Sequence, residues 1–230
     1  MSEKINVLDI EIDNLTAKEV MRKAIEYLDS EPVSIIEMVT ADGLMKMNDI
    51  PNLKAEVCDF DLVLAGDKAM LEAAGVTEKR YLQETGDRVC LKMLLKYLHK
   101  NHRRVYLLAE SEAEGEEFYT WIVNHYSGLQ IAGIAVASAE EHADDMVVNA
   151  VNGGEVDCVF SVLSVPFQEE FIGKNRNALN ARIWLGIGKN AVPSVAGRSG
   201  QGKFAQFILR RFFKREVEKQ KKIQQVDEEK

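Results

Sequence analysis

Residues 156–170 read VDCVFSVLSVPFQEE, and this stretch decides the fold. Val156 to Leu163 is apolar on both faces rather than alternating. That is the habit of a strand in a parallel sheet covered on both sides. A short turn follows, then Pro166 near the first position of a helix, with Gln168, Glu169 and Glu170 in the first turn. A fixed φ and negative charge both favour a helix start there.

The same unit recurs outward in both directions. VSIIEMV (33–39) and RVYLLA (104–109) are again apolar on both faces. Runs at 61–65, 129–137 and 181–187 predict further strands. Helical patterns separate them: Thr16 to Leu28, opened by the capping box Thr16–Glu19, then Arg88 to Leu98, Glu112 to Tyr126, Ala139 to Asn152 with Gly153-Gly154 at its C-cap, and Phe167 to Leu179. Strand and helix alternate. The expected fold is α/β, a Rossmann-like, mostly parallel sheet with helices on both faces. Such sheets bind ligands at the carboxyl ends of their strands. The turns that matter are therefore 40–43, 65–68, 109–111, 164–170 and 186–190.

The 230 residues, 46% hydrophobic and 29% charged, fit one domain with room for an appendage. Lys and Arg number 29 against 37 Asp and Glu, a net charge of −8. An acidic chain is not expected to bind nucleic acid, which requires clustered cations. No apolar run approaches membrane-spanning length, and the opening MSEKINVLDIEID lacks the apolar core of a signal peptide. Cys58, Cys90 and Cys158 are far apart and read as reduced cytosolic thiols. His99 and His102 stand three apart with no third ligand near, so neither metal nor cofactor is expected.

The charge is uneven. Between 203 and 222 eight basic residues face two acidic ones, a local net of +6 that leaves −14 for the rest. Phe204, Phe207, Ile208, Phe212 and Val217 recur near helical spacing in the same segment. A basic helix with an aromatic face suits an anionic membrane surface. Alternatively, the apolar face docks on the domain and the charges are solvated.

Two glycine motifs are weak. Gly197 to Phe204 fits GxxxxGK, but Phe204 stands where a Ser or Thr would hold magnesium. Gly186-Ile187-Gly188 with Ala191 resembles a dinucleotide turn, and its plainer reading is a tight turn.

In their common order, several segments resemble the WecG/TagA/CpsF family of bacterial glycosyltransferases. They are VLDIEIDNLTAKEVMRKAIEYL (7–28), VTAD (39–42), FDLVLAGD (60–67), RVYLL (104–108), YSGLQIAG (126–133), LSVPFQE (163–169), LGIG (185–188) and the run from Ala196-Gly197 to Arg215. The resemblance implies a transferase-type domain over residues 1–197 and a basic appendage over 198–230. It implies transfer of a hexosamine or hexose from a UDP-sugar donor to a lipid-linked acceptor, for cell-surface polysaccharide or teichoic acid. It also implies a cytoplasmic place at the inner membrane face, and it leaves a homo-oligomer open.

Residue by residue, the resemblance gives Asp67 or Asp42 as base. It gives Thr40, Gln83, Gln168, Glu169 and Gly188 as substrate contacts, and Arg210, Arg211, Lys214 and Arg215 as membrane contacts. The chemistry agrees, because an acceptor hydroxyl needs a carboxylate to take its proton and a departing diphosphate needs cations or N–H donors. The chain departs from the family at several of these turns. Asp42 replaces an Asn, and Gly66-Asp67 reverses an Asp-Gly. Gln83 replaces an Arg, and Ala109-Glu110 replaces two glycines. These changes keep a second reading in view, a non-catalytic relative that binds a nucleotide-sugar, a partner or the membrane.

Overall fold

The structure is a computed structural model describing residues 4–50, 52–138, 143–189 and 203–228, with the side chains of 143, 203–209 and 224–228 left aside. Six strands form one parallel sheet: β3 (Ser34–Val39), β4 (Leu62–Ala65), β5 (Arg104–Ala109), β6 (Gln130–Val136), β7 (Cys158–Ser161) and β8 (Ile183–Gly186). Their order is β4-β3-β8-β7-β5-β6. The expected α/β class and parallel sheet are what the chain forms. The inner strands β3, β7 and β8 are buried almost throughout, as their unbroken apolar runs require.

Alternate side chains of each strand feed two cores. One face of the sheet, with Ile35, Val159 and Trp184, packs on α2 (Ala41–Met47), α3 (Leu53–Cys58), α8 (Ala143–Gly153) and α9 (Phe167–Asn175). The other, with Ile36, Phe160 and Leu185, packs on α1 (Ala17–Leu28), α6 (Val89–Lys100) and α7 (Glu112–His125). The period of two in a strand places neighbours such as Ile35 and Ile36 in different cores.

Local signals in the sequence account for several boundaries. Thr16 accepts from the Glu19 N–H while Glu19 reaches back to the Thr16 N–H, so the capping box opens α1. Thr40 does more than end β3. Its hydroxyl accepts from the Gly43 N–H at 3.1 Å and starts α2 at once. At the end of α8 the left-handed residue is Glu155 (φ 47), one beyond the glycine pair.

The pairing at the N-terminus and two helices go beyond the expected elements. Residues 4–13 form an antiparallel hairpin, β1 (Lys4–Val7) and β2 (Ile10–Asp13), turned by Leu8 and Asp9, both at positive φ. It is tied to the sheet where Asp13 Oδ2 accepts from the Val63 N–H at 3.0 Å. Helices α4 (Lys68–Ala74) and α5 (Lys79–Gly86) fill the stretch after β4.

The last helix, α10 (Lys203–Glu228), docks on the body. Phe213 and Val217, one turn apart, are buried in the core beside α2 and α4. Lys221 Nζ donates to the Ala74 carbonyl at 2.9 Å. The apolar face is therefore set by Phe213, whereas Phe212 is 60% exposed. Arg210, Arg211, Lys214 and Arg215 are all exposed around it. Residues 190–202, which carry the GxxxxGK-like motif and the expected domain boundary, lie outside the described residues.

Candidate active site

The carboxyl ends of β3 and β8 and the turn after β7 surround a cleft of about 680 Å³, the open solvent at its mouth included. Strand order places it where the chain's crossovers part: β3 leads outward to β4 and β5 outward to β6. In open α/β sheets that is the place for a ligand. Thr40, Asp42, Gln168, Glu169 and Gly188 all line it, although they come from three separate stretches of chain. Gly188 has φ +76, the conformation that a tight turn asks of glycine.

The floor is a buried polar cluster. Gln168 Nε2 donates to Glu37 Oε1 at 2.5 Å, and Ser161 Oγ donates to Gln168 Oε1 at 3.0 Å. Glu37, Gln168 and Glu169 are each 1% exposed. Glu37 Oε2 and both Glu169 oxygens are buried without a hydrogen-bond partner. Burial, then the charge of Glu169, pushes the Glu37 carboxyl well above the ordinary range. Burial also pushes Glu169 up to about 7. Gly186 makes room for this pair, because a β-carbon there would fall 1.9 Å from Glu37 Oε2.

The rim holds two cations, both paired. Lys46 Nζ meets Asp42 Oδ2 at 2.9 Å. Lys189 Nζ meets Glu110 Oε2 at 2.8 Å and Glu114 Oε1 at 2.7 Å. Glu110 thus shares the Lys189 ammonium with Glu114. It also accepts from the Ser164 N–H and hydroxyl. Burial works to raise the Glu110 pKa, but the bonds from Lys189 and Ser164 outweigh it and hold the carboxyl below its usual range.

The other predicted residues lie elsewhere. Asp67 is half-buried and spends both oxygens on backbone: Oδ1 accepts from Met70 N–H and Oδ2 from Ala41 N–H, each at 2.9 Å. It caps α4 and holds the start of α2. Gly66 is pressed against β3, where a β-carbon would sit 3.0 Å from the Met38 carbonyl oxygen. Gln83 is exposed on α5 and lines no cleft described here. The four basic residues of α10 are exposed.

Sequence reasoning passed over Glu37, Lys46 and Lys189. For Glu37 a signal existed, a lone acid inside an otherwise apolar buried strand, SIIEMV.

The sequence model of the glycosyl transferase WecG/TagA/CpsF family matches residues 5–200. The chain belongs to this family. The match spans the whole sheet and every residue of the cleft, and it ends before α10 begins. The chain is accordingly a glycosyltransferase by family. It is also similar to N-acetylglucosaminyldiphosphoundecaprenol N-acetyl-beta-D-mannosaminyltransferases of Staphylococcus aureus strains MRSA252 and NCTC 8325. Each is 22% identical over 219 residues, covering 90% of this chain and 80% of the relative.

Proposed function

We propose that this WecG/TagA/CpsF member moves a hexosamine of the N-acetylmannosamine type from a UDP-sugar to a lipid-linked diphosphate acceptor. The step would serve teichoic-acid or related cell-surface polysaccharide synthesis. The observation that carries the reading is the convergence of Thr40, Asp42, Gln168, Glu169 and Gly188 on one cleft at the strand ends. The activity of the Staphylococcus relatives supplies the substrate class.

In this reading Asp42 is the base. It stands on the rim with 19% of its side chain exposed, whereas Asp67 is occupied by two backbone N–H groups. The acceptor hydroxyl gives its proton to Asp42, and its oxygen forms the bond to the anomeric carbon. The bond from that carbon to the diphosphate oxygen breaks, and UDP leaves with the electron pair. A protonated Asp42 no longer holds Lys46, so the ammonium is released to meet the departing charge, with Lys189 on the opposite rim. Thr40, Gln168 and Gly188 orient the donor. Asp67 positions Asp42 by fixing the first N–H of α2.

No described helix is long and apolar enough to cross a membrane. Access to a lipid-linked acceptor is assigned to the exposed basic face of α10, lying against the anionic inner face of the cell membrane.

The test is UDP release by the purified chain over a panel of UDP-sugars with a short-chain prenyl-diphosphate-linked N-acetylglucosamine. Asp42→Asn should retain UDP-sugar binding and lose release. Folded protein that shows no release and no micromolar UDP-sugar binding would refute the proposal. Binding without release from any donor favours the second reading, a non-catalytic relative, for which the exposed Gln83 is the supporting observation.

A further inference from the structure

The two edges of the sheet differ. Strand β4 ends one of them and is covered by the N-terminal hairpin, where β2 packs on it and Asp13 Oδ2 accepts from the Val63 N–H. Strand β6 ends the other, and no described strand pairs with its outer side. The Ala137 N–H donates inward to the Ala109 carbonyl at 2.9 Å. Backbone groups alternate in direction along a strand, so those of Ile134 and Val136 point outward. Proteins usually blunt such an edge with Lys, Pro or a bulge. Here a register shift opposite Val105 and Tyr106 leaves Gly133 to Val136 in regular pairing. Strand β6, QIAGIAV, holds no charge and no proline.

The lack of charge extends past the strand. In a chain that is 29% charged, LQIAGIAVAS (129–138) and MVVNAVNGG (146–154) carry none. Helix α8 packs on β6, and on its exposed side Met146, Asn149, Ala150 and Gly153 recur at helical spacing. Met146 is 75% exposed. On the other face of the sheet, Ile134 and Val136 are each 38% exposed beside α7. Ile134 packs over Gly115, where a β-carbon would fall 2.9 Å from its Cγ2. Tyr119 is one turn further along that side of α7 and is again exposed. Helix, strand and helix together present an apolar seam whose charges gather at its two ends.

We propose that this edge is the interface with a second copy of the chain, β6 pairing antiparallel with β6 of the partner about a two-fold axis. An uncharged strand with outward N–H and C=O groups finds both kinds of partner in its own image. Charge fixes the direction. The carboxyl end of the edge exposes Glu112, Glu116 and Asp145, and the amino end exposes Arg104 and His125. Antiparallel pairing sets each acidic end beside the basic end of the other copy, whereas parallel pairing would set like ends together. The size is sufficient. The seven residues of β6 run about 23 Å, and a helix on each face makes the edge roughly 25 Å deep. Two copies would bury about 1,200 Å² in all, the lower bound for a stable dimer. The cleft lies at the ends of β3, β7 and β8, so it stays open in both copies.

The test is sedimentation equilibrium of the full chain over a micromolar range, joined to amide hydrogen exchange at Ile134 and Val136. The mass should approach twice that of the chain, and both amides should exchange slowly in the dimer and quickly on dilution to monomer. Ile134→Lys places two ammonium groups in the seam and should weaken the dimer at least tenfold while the circular dichroism spectrum stays unchanged. Should that variant fail to fold, Met146→Glu, at a position open to solvent, should weaken it as well. A chain that stays monomeric throughout the range overturns the proposal. So does a dimer in which these amides exchange as fast as in the monomer, or one that both substitutions leave intact. Slow exchange at Ile134 and Val136 in a monomer also overturns it, because another segment of the same chain would then cover the edge.

Discussion

Replacing Glu169 by Gln tests the buried carboxyl pair directly. In the folded chain Glu169 is 1% exposed, holds no hydrogen bond through either oxygen, and has its pKa pushed from 4.5 up to about 7. Below pH 4.5 the folded and unfolded carboxyls both keep their protons, and the site leaves stability untouched. Between 4.5 and about 7 the unfolded chain has released its proton while the folded chain retains it. Stability therefore falls as pH rises through that window and levels off above it. Two to three units at ~1.4 kcal/mol each give a loss of about 3 kcal/mol. For a chain of this size that is a drop of roughly 6–12 °C in Tm between pH 4.5 and pH 8.

Glu37 shifts in the same direction, from burial and from the charge of Glu169, and adds to the slope. Glu169→Gln removes the ionisation and keeps the shape. Urea unfolding of the wild type and the variant at pH 5, 6.5 and 8 should show a difference that grows with pH in the variant's favour. It should approach ~3 kcal/mol at pH 8, less any fixed offset from the buried amide. Comparing the two proteins cancels the contributions of groups outside the pair, such as the depressed carboxyls of Glu84 and Glu110, while Glu37 loses only the part of its shift that the Glu169 charge causes. A difference that stays constant with pH would refute the reasoning, as would wild-type stability that rises from pH 5 to 8.

Asp67→Ala removes the cap of α4 and the tie to Ala41, so urea unfolding should show a loss of about 2 kcal/mol, one for each bond. Asp67→Asn, which keeps one acceptor oxygen, should lose less. Phe213→Ala opens a cavity under α10 and should cost 3–5 kcal/mol, roughly the usual price of truncating a buried Phe, seen as a lower midpoint in the same assay. Changing Arg210, Arg211, Lys214 and Arg215 together to Glu should abolish sedimentation with phosphatidylglycerol vesicles, each cation contributing on the order of 1 kcal/mol. Binding of the wild type should itself weaken above 0.1 M salt, where the Debye length is about 10 Å.

Much of the fold is local and could be read locally. VDCVFSVL and RVYLLA declare buried strands through composition alone, since nothing else explains apolar residues on both faces of so short a run. The Thr16–Glu19 box is a contact between residues three apart, so sequence contains both of its partners. The register of α10 was harder. Neighbouring helical residues point about 100° apart, so only packing could choose Phe213 over Phe212 as the one that enters the core.

The site divides along the same line. Sequence identified the strand-end turns, because a parallel sheet puts ligands there whatever its side chains, and five of the residues it named line one cleft. It did not determine what those residues meet. Gln168 and Glu37 are 131 residues apart, and Lys189 and Glu110 are 79 apart. Hydrogen bonds and pKa shifts at such separations depend on distances and desolvation that exist only once the strands lie side by side. Asp67 makes the same point from the other direction. Its sequence position suggested a base, but the end of β4 lies beside the start of α2, and that adjacency commits both its oxygens to backbone N–H groups. The order of elements followed from the chain's own pattern of polarity, whereas the partner of each charge was decided by which strand ends the sheet brought together.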